Sequence, residues 1–154
     1  GPLPPRFVEH LLFESGFVVA MRRGHPFARN PNLKSYLGCR HMLVSAIGDA
    51  YGVVDDRLAE KGISRRIALT VPNFMMALAQ LSETDLVSTL PKQIVARYAA
   101  RFGLEVCPVP FSWVDDPVRV VASKAAMADA GITWMFEAIK RCLDQNAKGI
   151  EPAN

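Results

Sequence analysis

The stretch Ile67-Ala68-Leu69-Thr70-Val71-Pro72-Asn73-Phe74-Met75-Met76-Ala77-Leu78-Ala79-Gln80-Leu81-Ser82, followed by Leu86-Val87-Ser88-Thr89-Leu90-Pro91, decides the fold class. Ile67 to Thr70 is a short apolar run, as expected of a strand covered on both faces. Asn73 is a good N-cap, and the helix it opens runs through Ser82 with Met75, Leu78, Ala79 and Ser82 on one stripe. Leu86 to Thr89 is again a strand. Pro91 suits the first turn of another helix, whose stripe is Ile94, Val95, Tyr98, Ala99 and Phe102 and which stops at Gly103. Strand, helix, strand, helix is the rhythm of an α/β fold with a mostly parallel sheet.

The rhythm extends both ways. Upstream, Phe17 to Met21 and Met42 to Val44 read as strands, and Val53 to Lys61 as a helix closed by Gly62. Downstream, Leu104 to Cys107 and Val118 to Ala122 read as strands. Asp129 caps a last helix with Ile132, Met135, Phe136, Ile139, Cys142 and Leu143 at three- and four-residue spacing. The polar tail from Asn146 to Asn154 is expected to fray.

The 154 residues suffice for one ordinary domain or two small lobes. A net charge of +3, with basic residues only paired at Arg22-Arg23 and Arg65-Arg66, gives no clustered face for nucleic acid. Cys39, Cys107 and Cys142 are odd in number and far apart, without Cys-x-x-Cys spacing, so reduced, largely buried thiols in a cytoplasmic protein are expected. The opening Gly1-Pro2-Leu3-Pro4-Pro5 does not read as a signal peptide, so none is expected, and no apolar run approaches membrane-spanning length.

No catalytic set assembles. Asp55 and Asp56 are adjacent on a helix and point about 100° apart, so they cannot flank a substrate. They and Asp115-Asp116 read as solvated or capping groups. His10, His25 and His41 are isolated, which argues against a metal site, and no cofactor motif is present. Met75 and Met76 read as core filling. Ser45 lacks the Gly-x-Ser-x-Gly of a nucleophile elbow. As a hydroxyl at a strand end it borders the crevice where ligands of such sheets sit. Gly48 and Gly52 leave amides open at a helix start, a seat for a carboxylate unless Asp49 caps them itself. Asn73 either caps its helix or offers its amide to a ligand. Phe74 either packs in the core or stacks on an aromatic ligand. Thr89 is a second strand-end hydroxyl.

Several of these segments, in this order, resemble the effector (substrate)-binding domain of LysR-type transcription regulators. Phe17 to Ala28, with its His25-Pro26-Phe27-Ala28 turn, looks like that family's crossover strand, followed by a short helix near Leu33 to Leu37. His41 to Ser45, Thr70 to Phe74, Leu86 to Pro91, the strand at Val118 and the helix at Ile132 follow in family order. The resemblance implies a type II periplasmic-binding-protein-like lobe with crossover strands to an incomplete first lobe. On that pattern residues 1–24 would end the first lobe and form the crossover, 25–116 the second lobe, 117–146 the return strand and closing helix, and 147–154 a disordered tail. It implies no catalysis, a small-molecule effector, homodimers or higher homo-oligomers, and DNA contact only through a separate helix-turn-helix domain preceding this stretch. It also places Pro72-Asn73-Phe74 at the effector cleft. The alternatives are a solute-binding protein of the same fold, which would need an export signal and two whole lobes, and a small α/β enzyme.

Overall fold

The computed structural model describes residues 3–148. The chain divides into two compact units, residues 16–115 and residues 1–15 with 116–154.

The larger unit is a five-stranded sheet in the order β4-β3-β5-β2-β6. Its strands are β2 (Phe17–Arg22), β3 (Arg40–Val44), β4 (Arg66–Val71), β5 (Leu86–Pro91) and β6 (Leu104–Pro108). β3 runs parallel to β4 and β5, while β2 is antiparallel to both β5 and β6. Four strands therefore share one direction and β2 alone opposes them: the sheet is mostly parallel, as expected, with one antiparallel strand inside it. Phe17–Arg22 lies before the division expected at residue 24. It pairs with β5 and β6 inside the sheet, and the units part at Ser15 and Gly16 instead.

Helices cover both faces, and strand alternation sorts the side chains between them. On one face Ala20, Met42, Leu86, Leu90 and Leu104 pack with Ala77, Leu78 and Leu81 of α4 (Phe74–Glu83) and Val95 of α5 (Lys92–Tyr98). On the other, Val19, Met21, Val87 and Cys107 pack with Phe27 of α1 (Pro26–Arg29), Tyr36 of α2 (Leu33–Gly38), and Val54 and Leu58 of α3 (Val53–Ala59). Each fully buried Leu contributes roughly 1.5–3 kcal/mol.

Local chemistry explains the ends of these helices. His25 Nδ1 accepts from the Phe27 amide to open α1. Asn32 and Ser35 form a capping box at α2. Gly62, at φ +67°, closes α3: its amide donates to Ala59 O and that of Ile63 to Leu58 O, a Schellman arrangement. The α4 stripe is shifted from expectation. Ala77, Leu78 and Leu81 are the buried positions, because small Ala77 lets the helix approach the sheet, and Met75 and Met76 are exposed rather than core.

The smaller unit pairs β1 (Phe7–Ser15) antiparallel with β7 (Asp116–Ser123). Its α6 (Ala130–Lys148) opens on Asp129, whose Oδ1 accepts from the Gly131 and Ile132 amides. Helix continues through Lys148, which corrects the expected fraying from Asn146, and the remaining tail lies outside the described residues. Phe136 is buried, but Met135 and Cys142 of the expected stripe are exposed. Cys142 therefore departs from the expectation of buried thiols. Among the described residues no helix is long and apolar enough to cross a membrane.

Candidate functional site

The parallel strands β3 and β4 end side by side. Val44 is level with Val71, and the Ser45 amide donates to Val71 O at 2.9 Å. This register brings half-buried Ser45 beside Pro72, Asn73 and Phe74 on one rim. Ligands of open α/β sheets sit at such carboxyl ends. Asn73 Oδ1 accepts from the Met76 amide at 2.9 Å, so it caps α4 and leaves its side-chain NH2 for another partner. Phe74 is 36% exposed and is not a core ring. The loop from Ala46 to Tyr51 is exposed and includes Gly48 at φ +83° and Asp49. The Gly48 amide donates to Ser45 O at 3.4 Å, so it is not the open seat that the sequence suggests, and the rim residues bring together a hydroxyl, an amide and an aromatic ring.

Asp49 does not cap the following helix. Asp55, from inside α3, accepts the Gly52 amide on Oδ2 at 2.9 Å. Of the two expected roles, solvated or capping, Asp55 takes the capping one and is buried, while Asp56 beside it is exposed. The reason is Arg65, whose Nε and NH2 meet Asp55 Oδ1 and Oδ2 at 2.8 and 2.9 Å. Burial, the largest single effect, opposes the Arg65 charge, but the hydrogen bonds and charge of Asp55 and Tyr36 together outweigh it and raise its pKa above the ordinary value. Sequence reasoning missed this pair, since ten residues of separation match no helical or strand period.

Thr89 is placed differently from the rim residues. It is 8% exposed, and its Oγ1 lies 2.8 Å from the Tyr36 hydroxyl. Burial raises the Tyr36 pKa, against the lowering effect of Arg65. His41, fully buried, meets Tyr36 O through Nε2 at 2.8 Å, and burial lowers its pKa to about 4. That leaves the ring neutral at ordinary pH. No group of three or more metal-binding side chains occurs among the described residues.

A cavity of about 410 Å³ opens at the opposite strand ends, between Asn30, Ser35, Arg40 and Asp85. Two of its polar side chains already have structural tasks. Ser35 helps cap α2, and Asp85 pairs with Arg22 at 2.6 Å.

Comparison with known proteins agrees with this architecture. The family model described as LysR substrate binding domain matches residues 1–143. The HTH-type transcriptional activator NagR of Ralstonia sp is 32% identical over 130 residues, covering 84% of this chain and 43% of that protein. The "probable transcriptional regulator PA0477" of Pseudomonas aeruginosa superposes with a TM-score of 0.78 at 30% identity, over 91% of this chain and 47% of that one. The effector binding domain of QuiR, solved in complex with shikimate, shares the fold: TM-score 0.70, 17% identity, 92% of this chain and 67% of that one. The chain spans less than half the length of the curated relatives it matches.

Proposed function

This chain belongs to the LysR substrate binding domain family, and on that premise we propose that it is the effector-sensing and dimerisation module of a transcription regulator. Family and relatives are regulators rather than enzymes. In this reading the parent protein acts in the cytoplasm and contacts DNA through a separate helix-turn-helix domain. A small aromatic or other organic acid binds between the lobes of that parent and changes how the DNA-binding domain is presented. Within this chain the ligand meets Ser45, Gly48, Asp49, Pro72, Asn73 and Phe74, with Thr89 behind them.

The observation that carries the reading is the shared rim. The Ser45–Val71 hydrogen bond sets a strand-end hydroxyl beside the Pro72-Asn73-Phe74 turn, whose aromatic ring is left accessible. Asn73 and Phe74 offer an amide and a stacking face in consecutive positions, which matches a flat ring bearing a carboxylate.

Calorimetric titration with a panel of aromatic and alicyclic acids, benzoate and shikimate included, tests it. Saturable binding that Phe74→Ala and Asn73→Ala weaken supports the site. Tight binding of duplex DNA by this chain alone would sink the module assignment.

A further inference from the structure

A continuous chain of hydrogen bonds crosses the larger unit beneath α2 and α3. It starts at Thr89 on β5, whose Oγ1 is 2.8 Å from the Tyr36 hydroxyl. Arg65 NH1 donates to that hydroxyl at 3.1 Å. The other two nitrogens of the same guanidinium, Nε and Nη2, donate to the two oxygens of Asp55. Asp55 Oδ2 then accepts from the Gly52 amide, where the 45–52 loop ends and α3 begins. At its other end the loop is fixed by the Ser45 amide on Val71 O. The loop thus rests on two posts, one a backbone bond and the other the Asp55 carboxylate.

A buried ion pair is a poor device for stability alone, since apolar residues of like volume do as well or better. Its two-pronged geometry fixes direction, because a planar guanidinium cannot turn without losing both bonds. Tyr36 holds the third side of the guanidinium, and its ring is set by edge contacts with Phe27, His41 and Phe111.

We propose that Asp55, oriented by Arg65 and Tyr36, is a positioning residue of the effector site, setting the far post of the 45–52 loop and so the placement of Ser45, Gly48 and Asp49 at the rim. The role in the site rests on the effector reading above. Thr89 then acts on the site through Tyr36, which accords with its burial.

Amide hydrogen exchange of the whole chain, followed by NMR, tests the relay without a ligand. Tyr36→Phe keeps the ring and removes only the hydroxyl. Thr89→Val removes the hydroxyl at the far end. In both, exchange at Gly52 should rise about tenfold, the scale of one lost hydrogen bond, while the core amides of Val19, Met42 and Leu78 keep their wild-type rates. Thr89→Ser should restore Gly52. Unchanged Gly52 exchange in both variants overturns the proposal, and so does equal acceleration of the core amides, which marks a general loss of stability. Benzoate and shikimate are then titrated into wild type and Tyr36→Phe. Whichever acid wild type binds should bind the variant about tenfold more weakly at a temperature well below both melting points, where both proteins are fully folded. Equal affinity in the two proteins refutes the role in the site. If wild type binds neither acid, the effector reading fails for these acids while Gly52 exchange still decides the relay.

Discussion

Arg65 and Asp55 face one another through two parallel hydrogen bonds of 2.8 and 2.9 Å, with the Arg65 side chain only 1% exposed. Removing one partner strands the other charge in a place water does not reach. Asp55→Ala should therefore destabilise the chain by about 3–5 kcal/mol. Replacing both, as Asp55→Leu with Arg65→Met, should recover most of that loss, because the buried charges leave together. Urea unfolding of the two variants checks this. A single variant as stable as wild type would mean the pair is solvated in practice.

His41 gives the stability a pH dependence. Burial lowers its pKa to about 4 from an ordinary 6.5, and its Nδ1 has no hydrogen-bond partner among the described residues. Between those two pH values the unfolded chain binds a proton that the folded chain refuses. Stability therefore rises with pH across this window and falls as pH drops from 6.5 towards 4. The difference amounts to about 3 kcal/mol at most, from 1.36 kcal/mol per pKa unit. Unfolding free energies at pH 7 and pH 4.5 should differ in wild type, and the difference should shrink in His41→Gln. An equal pH slope in the variant would assign the effect to other groups.

How far the fold was legible depends on where its determinants lie. Six strands could be read from short apolar runs because a covered strand is apolar on both faces, as in Val19, Ala20 and Met21. β1 was missed. Its alternation is interrupted by a register shift between Leu11 and Phe13, and its partner β7 lies more than a hundred residues away. The direction of β2 was invisible, since no local pattern distinguishes a strand that runs against its neighbours. The stripe of α4 slipped because hydropathy favours Met75, whereas close approach to the sheet favours small Ala77. At the site, Ser45 and the Pro72-Asn73-Phe74 turn were legible as strand-end residues. The Tyr36–Arg65–Asp55 relay was not, because its members meet only once three separate elements have packed.

Asn73 and Phe74 separate capping from recognition. Asn73→Ala removes the acceptor of the Met76 amide and should cost about 1 kcal/mol. Phe74→Ala removes a ring that is more than a third exposed, and should cost about 1 kcal/mol or less, far below the 3–5 kcal/mol of a core ring. Thermal unfolding measures both. If Phe74→Ala instead loses several kcal/mol, its ring belongs to the core and cannot be free to stack on an effector.

Gly16 begins the larger unit and is buried, with its carbonyl accepting the Lys92 amide at 2.9 Å. A Cβ at this position would lie 2.2 Å from Asp115 Oδ1 and 2.7 Å from Asp115 Cγ. That carboxylate also meets Lys92 Nζ at 2.9 Å. Gly16→Ala must therefore push Asp115 aside and break its ion pair. The pair is partly exposed and is itself worth about 1 kcal/mol or less, so most of the penalty is steric, on the order of 1–3 kcal/mol. The double variant Gly16→Ala with Asp115→Ala removes the obstacle. In the Asp115→Ala background the glycine substitution should cost less than about 1 kcal/mol, giving a clear coupling between the two positions in a double-mutant cycle. Additive losses would show that the backbone at Gly16, rather than the space held by Asp115, demands glycine there.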